Sequence, residues 1–424
     1  MPKKISKRSV EVVALLILMI FSFVNTVALL FFLVSILFLL RQGAPGALKI
    51  IILIMLRTVI NPGIAVPIES FEMVKMGILM ISALYLISKH NKLDSLSRNQ
   101  LKWPLVTISA FGMYNFFVAF VFSSLPVVAS SKMLFYIVVF LGVLIGVAYV
   151  VEKFDVFKWL TNWIKLIMLI SLFTIPLDVA YLKNGRAFQG ILNHPNMFGI
   201  FAVLFIALLL AQKIKKIDII FLVITLIMIA LSDSRTSLIA AVVIVGVYIL
   251  TTIINNATFL KLSLLAFSAA SLLIFYERII EFFANFMAKG GTLDDVLFSR
   301  EEQIGELLFN FQQNPIFGNG FNVPLLLSRD FSFSTAYIVE SGNLILSVLS
   351  FSGIIGFFIF SLYMIQILFS NKSNLLKRPF VLIAPILVSM GEMVFFSSNN
   401  IGPFCYLMIA MYMFYDKNRL QTSQ

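Results

Sequence analysis

Two arginines stand where arginine is costly. Arg186 lies in KNGRAFQGILNHPNMFG, between one apolar run and the next, and Arg235 lies in ALSDSRTSLIAA, a hairpin too short to leave a membrane interface. An arginine at the centre of a membrane helix costs about 2.5–3.5 kcal/mol, and less toward the surface. A guanidinium holds its charge at any pH and presents a planar fork that matches two phosphate oxygens. Two such groups converging on one point would suit a pyrophosphate. Arg235 also opens a helix, whose unpaired backbone N–H groups favour an anion. The alternative for each residue is a side chain snorkelling to lipid headgroups. Arg300, in FSREEQ, is a third phosphate candidate or an ordinary arginine at a helix start.

Acids and amides near these arginines extend the candidate set. Glu340, in VESGN, sits where a long polar loop re-enters the apolar chain, a place from which a carboxylate could take a proton. A helix-capping glutamate is the other reading. Glu392, in SMGEMVFF, lies near the end of an apolar run, as a functional acid or as the partner of an arginine. His194 and Asn196, in NHPN, read as a capping turn ahead of Pro195 or as contacts to the same polar site. Arg57, Glu72 and Lys75 read as an internal salt-bridge group. Asp178 and Asp233 rank below these.

The chain that must position these residues is built for lipid. It is 60% hydrophobic and 12% charged, with mean hydropathy +1.00, whereas a soluble domain carries about 25% charged residues. Apolar runs recur along 424 residues, which predicts an all-α polytopic membrane protein; the alternating short segments of a membrane β-barrel are absent. Lys and Arg number 32 against 20 Asp and Glu. Without a basic stripe interleaved with aromatics, that excess reads as the positive-inside bias and not as nucleic-acid binding. One cysteine, Cys405, and two histidines leave no disulfide framework and no His-built metal site. No Walker loop, dinucleotide fingerprint, nucleophile elbow or DxD cluster is present. No metal or cofactor is therefore expected, and a nucleotide-sugar enzyme or an ATP-driven pump is not supported.

At about 20 residues per crossing the apolar runs give about 12–14 transmembrane helices. Val10–Leu40 is divided into two by a turn at Asn25. The connections that share a side with the N-terminus hold most of the Lys and Arg, which puts both termini in the cytoplasm of a multi-pass plasma-membrane protein. Residues 277–337, 183–196 and 232–235 then fall outside. The whole chain, 1–424, reads as a single membrane domain, and 277–337 as a helical extracytoplasmic cap within it. Ile279, Phe282, Phe283 and Phe286 form an interfacial helix face. Ser299 to Glu302 is a capping box, followed by an apolar face of Ile304, Leu307, Leu308 and Phe311. Asn314-Pro315 stops that helix and Gly318-Asn319-Gly320 turns the chain. Gly342, Gly353 and Gly356 mark close packing or a bend in the following helix.

Taken in order, Arg186…Gly190…Asn193-His194-Pro195-Asn196…Gly199, the Ser232–Thr236 hairpin, Ser299-Arg300…Asn314-Pro315-Ile316-Phe317-Gly318-Asn319-Gly320-Phe321 and Glu340…Asn343…Leu346…Gly353-Ile354-Ile355-Gly356 resemble the bacterial O-antigen ligase / O-antigen polymerase superfamily over about residues 180–360. The resemblance implies a membrane fold of the lipid-linked-sugar glycosyltransferase type. It also implies metal-independent glycan transfer from an undecaprenyl-pyrophosphate donor at the outer face of the plasma membrane. Arg186 and Arg235 match the arginines that hold the donor pyrophosphate. Ligases carry His-Asn at the start of the span after the large loop, where this chain has Gly342-Asn343. That departure favours a repeat-unit polymerase for exopolysaccharide, capsule or O-antigen, with Glu340 activating the acceptor. The implied partners are lipid-linked oligosaccharide donor and acceptor, membrane lipid and a chain-length regulator. A ligase, or a flippase without chemistry, is the alternative.

Overall fold

The structure is a computed structural model that describes residues 7–181, 185–255, 304–323 and 342–415. The described residues form helices and connections, with only isolated bridges at Ile60–Leu192 and Tyr181–Phe188. The first half holds α1 (Lys7–Phe21), α2 (Thr26–Ile36), α3 (Ala44–Thr58), α4 (Glu72–Ile87), α5 (Ser95–Val121), α6 (Pro126–Val150) and α7 (Val156–Phe173). Then come α8 (Pro195–Ala211), α9 (Lys216–Leu231) and α10 (Arg235–Asn255). Residues 304–313 form α11. The chain closes with α12 (Leu344–Phe369), α13 (Lys372–Lys377), α14 (Pro379–Gly391) and α15 (Gly402–Phe414). The expected turn at Asn25 is present: its side chain accepts from Ala28 N at 2.8 Å and starts α2.

Six of these helices are long and apolar enough to cross a membrane: α4 with its flanking turns, α5, α6, α7, α10 and α12. Others are shorter, so among the described residues crossings of full length are fewer than the apolar runs. For α3, α8 and α15 the reason is burial. Every residue of α15, and nearly every residue of α3 and α8, is enclosed by other helices. A helix whose ends are covered by protein need not match the hydrocarbon thickness. The surrounding helices turn Phe120, Phe173 and Phe358 outward, where lipid takes the place of water. Lipid is as apolar as leucine, so packing and not hydrophobicity must hold helices together. Gly142 and Gly146, one turn apart on α6, provide it: a Cβ at 142 would lie 2.8 Å from Ala83 of α4, and one at 146 would lie 2.9 Å from Leu86.

A break in α12 positions the loop before it. Gly353 has φ 62° and ψ −169° and interrupts the helix, as the bend expected there requires. Segment 315–320 fills the gap. Ile354 N donates to Pro315 O at 2.9 Å and Ile355 N to Ile316 O at 3.3 Å; Asn319 N and Gly320 N return bonds to Ser350 O and Phe351 O. Tyr114 OH reaches both strands of the exchange, donating to Phe317 O and Ser352 O. Phe321 is then buried against Phe111, Tyr136, Phe351 and Phe396. The polar loop is thus latched into the bundle at its described end.

Two expectations change. On α11, Leu307 and Asn310 are buried but Leu308 is exposed; the Asn310 backbone carbonyl accepts from the Asn319 side chain. Arg57 does not join Glu72 and Lys75. Its Nε donates to Ser22 Oγ at 2.8 Å and its Nη2 to Val66 O at 2.5 Å, tying the loop after α3 to the end of α1. Glu72 faces Lys75 at 3.6 Å and accepts from Asn399 at 2.8 Å. Neutral carbonyls lie within reach of Arg57, and they satisfy a buried guanidinium without a second buried charge. The interfacial helix at 279–286 and the capping box at 299–302 lie outside the described residues.

Candidate functional site

Arg235 is the first residue of α10, and only 8% of it is exposed. The turn before it is short. Asp233 takes the left-handed conformation, φ 54°, which aspartate tolerates better than most residues. Ser232 closes α9 through its hydroxyl to Ile229 O, and Ser234 O accepts the first backbone bond of α10 from Leu238 N. Arg235 Nε and Nη2 are buried and have no hydrogen-bond partner among the described residues. A buried donor without an acceptor costs roughly 1–3 kcal/mol, more when charged. The site therefore holds a guanidinium two of whose donor nitrogens meet no acceptor among the described residues.

Arg186 comes to the same end of the bundle. The loop that carries it is clamped at several points. Phe188 N donates to Leu231 O at 3.1 Å, Gln189 N to Ala180 O at 2.8 Å, and Asn193 N to Val59 O at 2.9 Å. Gly190 passes so close to α7 that a Cβ would stand 2.7 Å from Ser171. The Phe188–Leu231 bond puts Arg186 two residues from the terminus of α9, beside the turn that leads into Arg235. Arg186 is exposed.

Two more elements converge on the start of α10. Gly199 of α8 faces Ser234 and Ser237, and a Cβ there would lie 2.7 Å from the Ser234 hydroxyl. Gly391, the last residue of α14, faces Thr236 at a distance that would leave a Cβ 2.9 Å from its hydroxyl. His194 is the N-cap of α8: its Nδ1 accepts from Asn196 N at 3.2 Å, so the ring serves the turn and its body is exposed. Asn196 Nδ2 donates to Glu392 Oε1 at 2.8 Å. The partner of Glu392 is therefore an amide, not an arginine, and the bond joins the start of α8 to the end of α14. Breaking it by Glu392→Ala or Asn196→Ala is expected to lower stability by about 1.5–3 kcal/mol. Thermal unfolding of both single variants and the double should show a coupling of about 0.5–3 kcal/mol.

Asn343 opens α12 at this end and caps it, accepting from Leu346 N at 3.1 Å. Arg300 and Glu340 lie outside the described residues. Sequence reading missed the segment after α14. Met393–Phe396 is as apolar as the helix before it, but the helix ends at Gly391 and residues 392–401 fold back. Ser398 Oγ meets Tyr406 OH at 2.8 Å, Asn399 holds Glu72, and Asn400 Oδ1 is buried without a partner among the described residues. Gln189 Oε1 and Asn193 Oδ1, at the same end, are also buried acceptors without one. The run SSNN was the available signal. Donors suited to phosphate and acceptors suited to hydroxyls thus share one end of the bundle.

No curated protein matches the chain. Residues 220–361 match the family model described as O-antigen ligase. That region spans Arg235, α11, the 314–321 latch and the α12 break; Arg186, His194, Asn196 and Glu392 lie beyond it. This match covers about a third of the chain and, on an all-α polytopic membrane bundle, supports its likeness to the O-antigen ligase / O-antigen polymerase superfamily.

Proposed function

We propose that the protein is a polysaccharide polymerase of the bacterial plasma membrane, with both termini in the cytoplasm and its site at the outer face. It joins undecaprenyl-pyrophosphate-linked oligosaccharide repeat units into an exopolysaccharide, capsule or O-antigen, without a metal. The observation that carries the reading is the buried Arg235 fork, two of whose N–H-bearing nitrogens lack partners among the described residues, beside the loop that bears Arg186. An acceptor hydroxyl attacks the donor sugar carbon that is bonded to pyrophosphate. The new glycosidic bond forms as the carbon–phosphate-oxygen bond breaks. Negative charge grows on the leaving pyrophosphate, and Arg235 and Arg186 are donors aimed at it. The hydroxyl proton passes to Glu340, with Arg300 as a further phosphate contact from the loop, which forms a cap within one membrane domain. Asn196, Glu392, His194 and Asn343 hold the helix ends that aim these groups. Gly342, where ligases carry a histidine, favours polymerisation over transfer to a final acceptor.

A strain lacking the gene should accumulate single repeat units on their lipid carrier. Full-length polymer stranded on the carrier would point to a ligase, and no product from purified protein and lipid-linked repeat units would point to a flippase. Arg186→Ala should lower polymer yield about 10- to 100-fold, the loss of one charge-assisted hydrogen bond, at normal protein level on a membrane blot. Unchanged polymer would remove Arg186 from the site.

A further inference from the structure

At the end of the bundle away from Arg235, α7, α8, α9 and the residue after α15 enclose a polar cavity of about 200 Å³. Lys158, Lys165, Lys213 and Lys215 line it, against Asp155 and Asp218. Both aspartates are engaged. Asp155 caps α7 by accepting from Lys158 N at 2.9 Å. Asp218 accepts from the Lys165 ammonium and, at 2.8 Å, from Lys215 N. The ammonium groups of Lys158, Lys213 and Lys215 are exposed and form no ion pair among the described residues. A second cavity of about 170 Å³ adjoins the first and shares Leu209 and Asp218 with it. This one is an apolar groove between α8, α9 and α10, walled by Leu210, Leu222, Val245 and Ile249. It opens at Ile219 and Ile249, half of whose surface is exposed on the outside of the bundle.

We propose that the two cavities together hold one anionic phospholipid, its phosphate among Lys158, Lys213 and Lys215 and an acyl chain in the α8–α9–α10 groove. Four lysines against two aspartates leave the polar wall positive, and basic pockets between membrane helices attract anionic headgroups. A soluble phosphate would leave the apolar groove empty. A zwitterionic lipid would fill the groove but bring its own ammonium against the lysines. The bound lipid fastens α9 to α10 at the end opposite Arg235. The site does not depend on the reaction proposed above.

The test uses full-length protein, purified in detergent and stripped of lipid. Native mass spectrometry and melting temperature are read with phosphatidylglycerol, with phosphatidylethanolamine of the same chains, and with inorganic phosphate. Phosphatidylglycerol should be retained at one copy and raise the melting temperature, with phosphatidylethanolamine about tenfold weaker. Lys158→Gln/Lys213→Gln/Lys215→Gln should weaken phosphatidylglycerol on the order of 100-fold, and each single change about fivefold. The single variants keep the test decisive should the triple variant fail to fold. Leu222→Trp, which fills the groove, should also weaken lipid binding. Equal binding of the two lipids, unchanged binding in the lysine variants, or inorganic phosphate stabilising as well as the lipid would each overturn the proposal.

Discussion

Arg235→Met is expected to abolish polymer formation and yet leave a folded protein whose melting temperature is unchanged or higher. The two halves have one cause. The guanidinium is nearly buried, and its Nε and Nη2 lack partners among the described residues. In the empty protein it is therefore a liability, and an apolar side chain of similar length removes a desolvated charge. In the loaded protein it supplies donors where charge develops, and losing one such donor costs about 100- to 1000-fold in rate. Arg235→Lys keeps the charge but loses the fork, and should recover only part of the activity. The readout is extension of lipid-linked repeat units by purified protein, paired with thermal unfolding of the same samples. A structural arginine gives the opposite pattern: lower melting temperature and retained polymer.

Gly353→Ala is expected to prevent accumulation of folded protein. The residue sits at φ 62° and ψ −169°, a region open essentially to glycine alone and costing about 1–3 kcal/mol for other residues. A Cβ would also lie 2.6 Å from Phe317 N and nearer still to the Ile316 carbonyl. Those groups belong to the backbone exchange that docks segment 315–320, so the clash cannot relax without losing the latch. Together the effects should reach about 4 kcal/mol or more, the range of severe core lesions. Gly77→Ala is the control. Nothing lies within 4 Å of its Cβ position, and it should stay within about 1 kcal/mol of the parent. Detergent-soluble monodisperse protein, quantified by size-exclusion chromatography, separates the two. Normal yield of Gly353→Ala would show that the break in α12 is not needed.

Much of this architecture is legible in the sequence. Apolar runs and their breaks place most helices, the turn at Asn25 and the bend at Gly353, because caps, prolines and glycines act over a few residues. The pairing of Arg186 with the α9–α10 turn was legible only as a shared side of the membrane; the contact that joins them, Phe188 to Leu231, is long-range. Helix faces were harder. In α9 and α10 nearly every residue is apolar, so no stripe marks which face meets protein and which meets lipid. The end of α14 is hidden in a similar way: Met393–Phe396 is as apolar as the helix before it, yet turns back into the core. On α11 Leu308 is exposed and Asn310 buried, a pattern that nothing in the structure explains. Arg57 looked like an ion-pair member, since sequence shows charges but not the nearer carbonyls.

The most direct test measures binding alone, without turnover. A short-chain polyprenyl pyrophosphate and its monophosphate are titrated onto purified parent protein, Arg186→Ala, Arg235→Met and the double variant. The parent should prefer the pyrophosphate, and the double variant should lose about 100-fold or more in affinity for it, as expected for two charge-assisted hydrogen bonds at roughly 1.5–3 kcal/mol each. Equal affinity across the four proteins, or no preference for the second phosphate, would contradict the assignment of these two arginines to a pyrophosphate site.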